Sequence, residues 1–189
     1  MIGFRGRRAA SAIAATLALS ACAGSNIRPV SDTPVKIGQP YQVRGKTYYP
    51  EADQSYDMLG YASWYGRESG NRTSNGEQFH VAWITAAHRT LPLPTYAEVT
   101  ALDTGKRIIV RINDRGPFGP SRRIIDLSRG AADDLGIIRQ GEAPVRVRRI
   151  EPSDKDRNRL RSGKRARDLS PVSERILRNL RAQLARGPH

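Results

Sequence analysis

Nearly all strand-forming signals of this chain lie in residues 59–150, and each of them is short. Tyr96 to Leu102 and Arg107 to Ile112 are β-rich runs separated by Asp103-Thr104-Gly105-Lys106, which predicts a hairpin. From Pro144 to Ile150 valine alternates with arginine, so one face of that strand should be buried. Short strands of this kind predict a compact β-barrel rather than an alternating α/β sheet.

The same segment predicts a small helix and one hydrophobic core. Ser128 can cap a helix that runs through Leu135, and Gly136 follows as its terminator. The chain has 189 residues, of which 38% are hydrophobic, and this suffices for one core of ordinary size. The prediction is a mainly β protein with a single barrel and one or two short helices.

The N-terminus has the pattern of a bacterial lipoprotein signal peptide. A cluster of arginines precedes an apolar run, residues 9–19, that is shorter than the about 20 residues needed to span a bilayer. Small residues then lead to Cys22, the only cysteine of the chain. We predict removal of residues 1–21 and lipidation of Cys22; the alternative is an ordinary secretory signal. Because Ala23 is not the aspartate of inner-membrane retention, the predicted location is the periplasmic side of the outer membrane.

Three segments flank the predicted barrel. Residues 22–40 carry prolines and polar residues without an apolar period, which predicts a disordered, lipidated tether. Residues 41–58 are rich in tyrosine and are predicted to form a short extension that packs on the barrel or stacks on sugar rings. Residues 151–189 hold 11 Lys and Arg against 5 Asp and Glu, and their first half has few apolar side chains. That half is predicted to be disordered, and the whole tail to be dispensable for folding.

Beyond Pro171 the tail predicts an amphipathic helix, with Ile176, Leu177, Leu180 and Leu184 on one face and arginines elsewhere. Such a helix can lie on an anionic membrane; a marginal, frayed tail is the alternative. The formal net charge of +14 favours an anionic partner. Because the exported chain contains no recognisable nucleic-acid module, we expect no nucleic-acid partner.

Three stretches within residues 59–150 combine turn residues with ionisable groups beyond what core packing requires. They read Tyr61-Ala62-Ser63-Trp64-Tyr65-Gly66 with a following Thr73-Ser74-Asn75-Gly76-Glu77, then Thr85-Ala86-Ala87-His88-Arg89-Thr90-Leu91-Pro92, then Asn113-Asp114-Arg115-Gly116-Pro117-Phe118 with Arg123-Ile124-Ile125-Asp126-Leu127-Ser128. In this order and spacing they resemble the RlpA (rare lipoprotein A) family, bacterial lipoproteins with a double-psi β-barrel related to that of expansins.

The resemblance implies a six-stranded double-psi barrel and an endolytic lytic transglycosylase. Such an enzyme cleaves the MurNAc-GlcNAc β-1,4 bond of peptide-denuded peptidoglycan strands, leaves 1,6-anhydroMurNAc ends, and acts in cell-wall remodelling and division. The family's catalytic Glu, His and Asp match Glu77, His88 and Asp114 here. The resemblance implies no cofactor and no metal, and it leaves room for cell-division or murein amidase partners.

Two departures from the family pattern stand out. Many members carry a C-terminal peptidoglycan-binding domain of the SPOR type, where this chain has its Arg-rich tail. The expectation of septal targeting by that route is therefore open. Ser74 stands where the family commonly has alanine, a change small enough to leave Glu77 in place.

The reaction requires a proton for the leaving oxygen and stabilisation of an oxocarbenium-like centre, while the substrate's own 6-hydroxyl replaces water. Asp114 follows an apolar strand beside a glycine turn, so we predict that it is the acid/base. Arg115 would lower the pKa of this carboxyl unless its guanidinium points away. We expect Glu77 and His88 to position the sugar or to tune Asp114. Without the resemblance they would be a loop carboxylate and a barrel histidine.

Trp64 and Tyr65 are predicted to stack on a sugar ring, although a core position is the alternative for the tryptophan. Asp126 is expected to pair with Arg123 or to cap the following helix rather than to react. The predicted substrate-binding set is Trp64, Tyr65, Asn75, Arg89, Arg115 and Asp126. Two other functions remain open: a non-catalytic, expansin-like peptidoglycan-binding lipoprotein, and an anchor whose cationic tail holds stem-peptide carboxylates or anionic lipid.

Overall fold

A closed β-barrel forms the centre of the molecule. A computed structural model describes residues 29–66, 70–120 and 122–187. The strands are β1 (Tyr41–Val43), β2 (Lys46–Tyr48), β3 (Asp57–Tyr65), β4 (Thr85–Ala87), β5 (Thr95–Ala101), β6 (Arg107–Asp114), β7 (Arg123–Ser128) and β8 (Glu142–Arg149). The helices are α1 (Arg129–Leu135), α2 (Asp154–Arg161) and α3 (Glu174–Ala185). The barrel order is β3-β7-β4-β6-β5-β8, which confirms the prediction of a six-stranded barrel.

The strand pairing is mixed, with β3 parallel to β7 and β4 parallel to β6. The predicted hairpin joins β5 and β6 antiparallel, and Gly105 takes the left-handed conformation (φ +75°) at its turn. In β8 the valines are fully buried and the arginines are half-buried, as the alternation predicts. Side chains that fill the barrel include Val99, Val110, Ile112, Ile125, Leu127, Val145 and Val147.

The helix predicted after Ser128 is confirmed as α1. The Ser128 hydroxyl accepts a hydrogen bond from the Ala131 amide at 3.1 Å, and Gly136 ends the helix in the left-handed conformation (φ +88°). Leu135 is buried in the barrel core. The polar cap satisfies helix amides that would otherwise be buried without a partner.

Residues 29–40 lie against the barrel, which corrects the prediction of a disordered tether for this part of the chain. Lys36 and Leu93 exchange both backbone hydrogen bonds, at 2.7 and 2.8 Å. Asp32 pairs with buried Arg111 (Nε to Oδ1, 3.0 Å) and with Arg157 (3.5 Å). Composition alone could not reveal this order, because it depends on a charge buried on a distant strand. Residues 22–28, including Cys22, lie outside the described residues.

The tyrosine-rich segment contributes the β1-β2 hairpin. Tyr41 and Tyr48 stack with ring centroids 5.3 Å apart, and both contact the ring of Phe118. The Tyr41 hydroxyl donates to the Arg89 carbonyl at 2.8 Å. The hairpin therefore packs on the loop that follows β6 through its aromatic rings.

The first half of the tail is helical, so the prediction of disorder for it is wrong. Ser153 caps α2 by accepting a hydrogen bond from the Asp156 amide at 3.2 Å. Leu160 and Ala166 belong to the barrel core. The buried Asp156 carboxylate in turn accepts a hydrogen bond from the Arg167 amide. Leu160 and Ala166 are enough to fix this segment because both are buried against the barrel core.

The predicted amphipathic helix is confirmed as α3, and its apolar face is covered except at Ile176. Leu177 and Leu180 pack with Leu102 in a second small core, with Val172 and Leu184 at its edge. The tail thus packs on the barrel, contrary to the expectation that it contributes almost nothing to the core; its dispensability for folding stays a prediction. None of the described helices is long and apolar enough to cross a bilayer.

Leu177→Ala should lower the free energy of unfolding by about 2–5 kcal/mol, because it removes a buried side chain that is only 2% exposed. Ile176→Ala is the matched control: its side chain is 40% exposed, so the loss should stay below about 1 kcal/mol. Urea unfolding followed by circular dichroism measures both. Equal losses in the two variants would contradict the packing of α3 described above.

Candidate active site

Two carboxyl groups meet at one cleft of the barrel. Ala87, the last residue of β4, is paired with Asp114 of β6 on one side and with Asp126 of β7 on the other. Residues paired across neighbouring strands project to the same face of a sheet. All three line a cleft of about 380 Å³. The charged and aromatic residues of its lining are Tyr65, Arg72, Asp114, Arg115, Phe118 and Asp126.

A larger cavity of about 500 Å³ lies beside α2, but its charges are largely satisfied within the tail. Arg165 pairs with Asp168, Arg167 pairs with buried Asp156, and the Arg159 guanidinium donates to a backbone carbonyl. This cavity therefore presents no carboxyl that is aimed at a ligand. The cleft at β4, β6 and β7 is the candidate active site on chemical grounds.

One carboxyl oxygen of Asp114 accepts all the hydrogen bonds that fix this side chain. Its Oδ1 accepts hydrogen bonds from the Ser74 amide (2.8 Å), the Ser74 hydroxyl (2.6 Å) and the Arg115 amide (2.8 Å). No donor among the described residues reaches Oδ2. The carboxyl is thus fixed in direction, with its second oxygen available to a ligand in the cleft.

The Arg115 guanidinium points away from Asp114. Nη1 donates to the carbonyls of His88 (3.2 Å) and Leu91 (2.6 Å), and Nη2 donates to the carbonyl of Ile37 (2.9 Å). Burial lowers the pKa of Arg115. This arginine ties the loop after β4 to the N-terminal segment, and no cation among the described residues is paired with the Asp114 carboxyl.

Glu77 supports the site through hydrogen bonds to Arg111, Asn113 and Asn75. Both of its oxygens accept from the buried Arg111 guanidinium, Oε2 at 2.7 Å and Oε1 at 2.8 Å. The side-chain amides of Asn113 (2.8 Å) and Asn75 (2.9 Å) supply two more hydrogen bonds. Burial raises the pKa of Glu77, but Arg111 and the two amides more than offset it, so the pKa lies below its ordinary value. Glu77 therefore remains a carboxylate that locks the Ser74 loop onto the end of β6.

His88 is buried and does not line the cleft. Its Nδ1 accepts from the amides of Thr90 (3.2 Å) and Leu91 (3.0 Å), and the edge of its ring contacts Tyr56 at 4.7 Å between centroids. Its backbone amide donates to the Asp114 carbonyl at 3.0 Å. Burial, with smaller contributions from Arg115 and Arg89, lowers the pKa of His88 to about 3. The imidazole is therefore neutral and positions the backbone of Thr90 and Leu91, while the backbone amide of His88 binds the end of β6.

Tyr65 forms part of the cleft lining. Its ring stacks on Phe79 at 5.0 Å, and its hydroxyl is buried without a well-formed hydrogen bond among the described residues. Burial and then the charge of Asp114 raise the pKa of this phenol; the neighbouring Thr85 hydroxyl partly opposes this, and Asp126 adds a smaller contribution. Trp64 instead packs against the barrel core, which was its alternative position.

The remaining predicted residues support loops. Asn75 binds Glu77, and Arg89 holds the turn after β6 through the carbonyls of Pro117 (2.7 Å) and Pro120 (3.4 Å). Among the described residues, no group of three His, Cys, Asp or Glu side chains could hold a metal ion. Sequence reasoning missed Arg111. The available signal was an arginine inside the apolar run of β6, since a buried cation requires a carboxylate partner.

Stability should fall as the pH drops from about 6.5 to about 3, because over this range the unfolded chain protonates His88 and the folded protein does not. His88→Gln, whose amide oxygen can still accept from Leu91, should reduce this loss. Calorimetric unfolding temperatures at about pH 7.5 and about pH 4.5 measure it. His80→Gln is the control and should retain the wild-type slope. An unchanged slope in His88→Gln would show that the imidazole is protonated in the fold.

Comparison with known proteins shows what the barrel is similar to. A family model described as lytic transglycolase matches residues 57–147. The chain is 56% identical over 115 residues to the endolytic peptidoglycan transglycosylase RlpA of Pseudomonas aeruginosa, covering 60% of this chain and 33% of that protein. It is 47% identical over 116 residues to the protein of the same name from Rickettsia bellii, covering 59% and 51%. The chain thus spans a third to a half of the length of these curated relatives.

Among solved structures, a mutant Clavibacter michiganensis expansin in complex with cellohexaose superimposes with a TM-score of 0.41 and 17% sequence identity, over 52% of each chain. The family match is the informative one, because it contains Ser74, Glu77, Asp114 and Asp126 within its bounds. The barrel of this chain is therefore similar to the lytic transglycolase family model and to the RlpA proteins of these bacteria.

Proposed function

We propose that this protein is an endolytic peptidoglycan transglycosylase. It cleaves the β-1,4 bond between MurNAc and GlcNAc in peptide-denuded strands and leaves 1,6-anhydroMurNAc ends. The observation that carries the proposal is Asp114, a carboxyl fixed by Ser74 with one oxygen facing a cleft. The names of the RlpA relatives, which match the domain that holds this residue, support the substrate and the bond type.

The cleft suits a glycan strand in shape and chemistry. It is open to solvent and carries the ring of Phe118, and sugar rings pack readily on such aromatic surfaces. The ring of Tyr65, which is buried and stacks on Phe79, lies at the base of the lining rather than offering a free face. Arg72 lies on the same wall. Removal of a stem peptide frees the lactyl carboxylate of MurNAc, and an arginine can pair with that anion. Amide hydrolysis that removes stem peptides is therefore the class of reaction that supplies this substrate.

The chemistry needs two proton transfers, one to the leaving oxygen and one from the 6-hydroxyl of MurNAc. A carboxyl group can perform general acid and general base steps when it is within hydrogen-bond reach of the reacting atoms. Oδ2 of Asp114 has the direction and access for such a contact. Glu77 and His88 contribute by holding the loop and the strand end that orient it.

Asp114→Asn should reduce cleavage of denuded glycan at least about a hundredfold with little change in glycan affinity. The amide oxygen can still accept from Ser74, but the side chain no longer exchanges a proton. Chromatography and mass spectrometry of the released strands measure the rate and should show 1,6-anhydro ends. Asp57→Asn is the matched control, since that carboxylate pairs with Arg146 outside the cleft lining and should leave the rate unchanged.

Wild-type cleavage by Asp114→Asn would contradict the role of Asp114. A wild-type protein that binds the glycan but releases nothing would instead identify a non-catalytic, expansin-like binding module. Glu77→Gln tests separately whether Glu77 supports the site by its hydrogen bonds. It should lower the unfolding temperature as well as the rate, because the buried Arg111 then loses a paired charge.

We further propose that Cys22 is lipidated and anchors the protein to the periplasmic side of the outer membrane. The support is the signal-peptide pattern that ends at Cys22, with Ala23 following it. Cys22→Ser should move the protein to the soluble periplasmic fraction, as measured by immunoblotting of separated membranes. Retention of the uncleaved variant in the membrane would contradict the proposed lipidation.

A further inference from the structure

We infer that Asp32 is a positioning residue for the acid/base carboxyl of Asp114, on which it acts through Arg111 and Glu77. The inference rests on the proposed function and adds to the active site a segment that precedes the first barrel strand, β3. Asp32 is not part of the cleft lining, so it acts only through the side chains that hold Asp114 in place. Its loss should therefore slow the chemical step and leave glycan binding unchanged.

Asp32 is fixed on the barrel by both of its carboxyl oxygens. Oδ1 accepts a hydrogen bond from Nε of Arg111 at 3.0 Å. Oδ2 accepts a hydrogen bond from the Tyr96 hydroxyl at 2.7 Å and lies 3.5 Å from Nη1 of Arg157 in α2. The Asp32 side chain is only 15% exposed, so water and salt screen these contacts less than they screen a surface ion pair. The carboxylate is thus an ordered part of the barrel wall.

The Arg111 guanidinium divides its donors between the N-terminal segment and Glu77. Nη1 and Nη2 donate to the two Glu77 oxygens, whereas Nε donates to Asp32. Nη2 also donates to the Ser31 carbonyl at 2.8 Å. A guanidinium is a planar, rigid fork of donors, so an acceptor that binds Nε also sets the orientation of the two Nη groups. Asp32 therefore sets the direction from which Arg111 meets Glu77.

Glu77 connects this orientation to the cleft. Its oxygens accept hydrogen bonds from the side-chain amides of Asn75 at 2.9 Å and Asn113 at 2.8 Å. These two residues are the chain neighbours of Ser74 and Asp114, respectively. The Asn75 backbone amide also donates to the Asn113 carbonyl at 3.2 Å. A shift of the Glu77 carboxylate therefore moves both partners of the hydrogen bonds between Ser74 and Asp114.

The same N-terminal segment also binds the residue that follows Asp114. Nη2 of Arg115 donates to the Ile37 carbonyl at 2.9 Å, and the Arg115 amide is one of the three donors to Oδ1 of Asp114. Arg111 and Arg115 flank Asp114 in the sequence, and residues 31–37 accept hydrogen bonds from both guanidinium groups. The segment thus supports the acid/base carboxyl from two positions.

Kinetics of the full-length protein on denuded glycan test the inference. Asp32→Ala should lower kcat about tenfold and leave KM within about twofold of wild type, because a misplaced acid/base slows the chemical step without weakening binding. Asp32→Asn should lose less, since its amide oxygen can still accept from Nε of Arg111. Leu177→Ala is the control for stability. It removes a buried side chain outside the cleft lining, so it should keep the wild-type kcat at a temperature where circular dichroism shows every variant folded.

The hydrogen bond from the Ser74 amide to Asp114 gives a readout that does not depend on turnover. In Asp32→Ala the Ser74 amide proton should shift upfield, because a longer hydrogen bond to a carboxylate deshields the proton less. Two-dimensional NMR of the ¹⁵N-labelled protein measures this shift, which should be absent in Leu177→Ala. Tyr96→Phe keeps the ring and removes one hydrogen bond to Asp32, so it should cause smaller changes of the same kind. This variant decides the question should Asp32→Ala fail to fold.

A wild-type kcat in Asp32→Ala would overturn the inference. A fall in kcat without a shift of the Ser74 amide would also overturn it, as would an equal fall in Leu177→Ala, which would trace the loss to reduced stability. A raised KM at unchanged kcat would assign Asp32 to glycan binding instead. A wild type that cleaves no glycan would defeat the proposed function, and the Ser74 shift alone would then decide whether Asp32 orients Asp114.

Discussion

The buried guanidinium of Arg111 organises this protein. It lies in β6 with 1% of its side chain exposed, where an unpaired charge would cost several kcal/mol. Glu77 neutralises it through two hydrogen bonds, and Asp32 pairs with the remaining Nε. Because these partners come from a loop and from the N-terminal segment, both must lie on the barrel for β6 to be stable. One strand residue thereby fixes two segments that have no regular secondary structure.

The active-site geometry follows from that ion pair. Glu77 binds Asn75 and Asn113, the neighbours of Ser74 and Asp114, so the two sides of the hydrogen-bonded pair are held by one carboxylate. His88 acts from the other side through its backbone amide on the Asp114 carbonyl. Two of the three residues that match the family's catalytic set therefore shape the site, while the third faces the cleft. Loss of activity on mutating Glu77 is consequently no evidence for direct proton transfer by it.

The sequence predicted the structural features that a few adjacent residues determine. The alternation in β8, the turn at Gly105 and the cap at Ser128 were readable because a few adjacent residues determine each of them. The order of residues 29–40 and of α2 was not, since it depends on contacts such as Asp32 with Arg111 and Leu160 with the barrel core. Asp126 combines the two cases. Its pairing with Arg123 was predictable from a spacing of three residues, but its place opposite Asp114 follows only from the register of three strands.

The arginines around the cleft treat its two carboxyls differently: Asp126 is ion-paired with Arg123, whereas Asp114 is paired with no arginine among the described residues. Two of these arginines are engaged elsewhere: Arg115 with three carbonyls, Arg89 with the carbonyls of Pro117 and Pro120. Arg123 hydrogen-bonds Ser63 and forms an ion pair with Asp126 at 3.6 Å. The guanidinium groups of Arg115 and Arg89 thus donate their hydrogen bonds to backbone carbonyls. The net charge of +14 gives a field that would favour an anionic polymer, such as the denuded glycan of the proposed function.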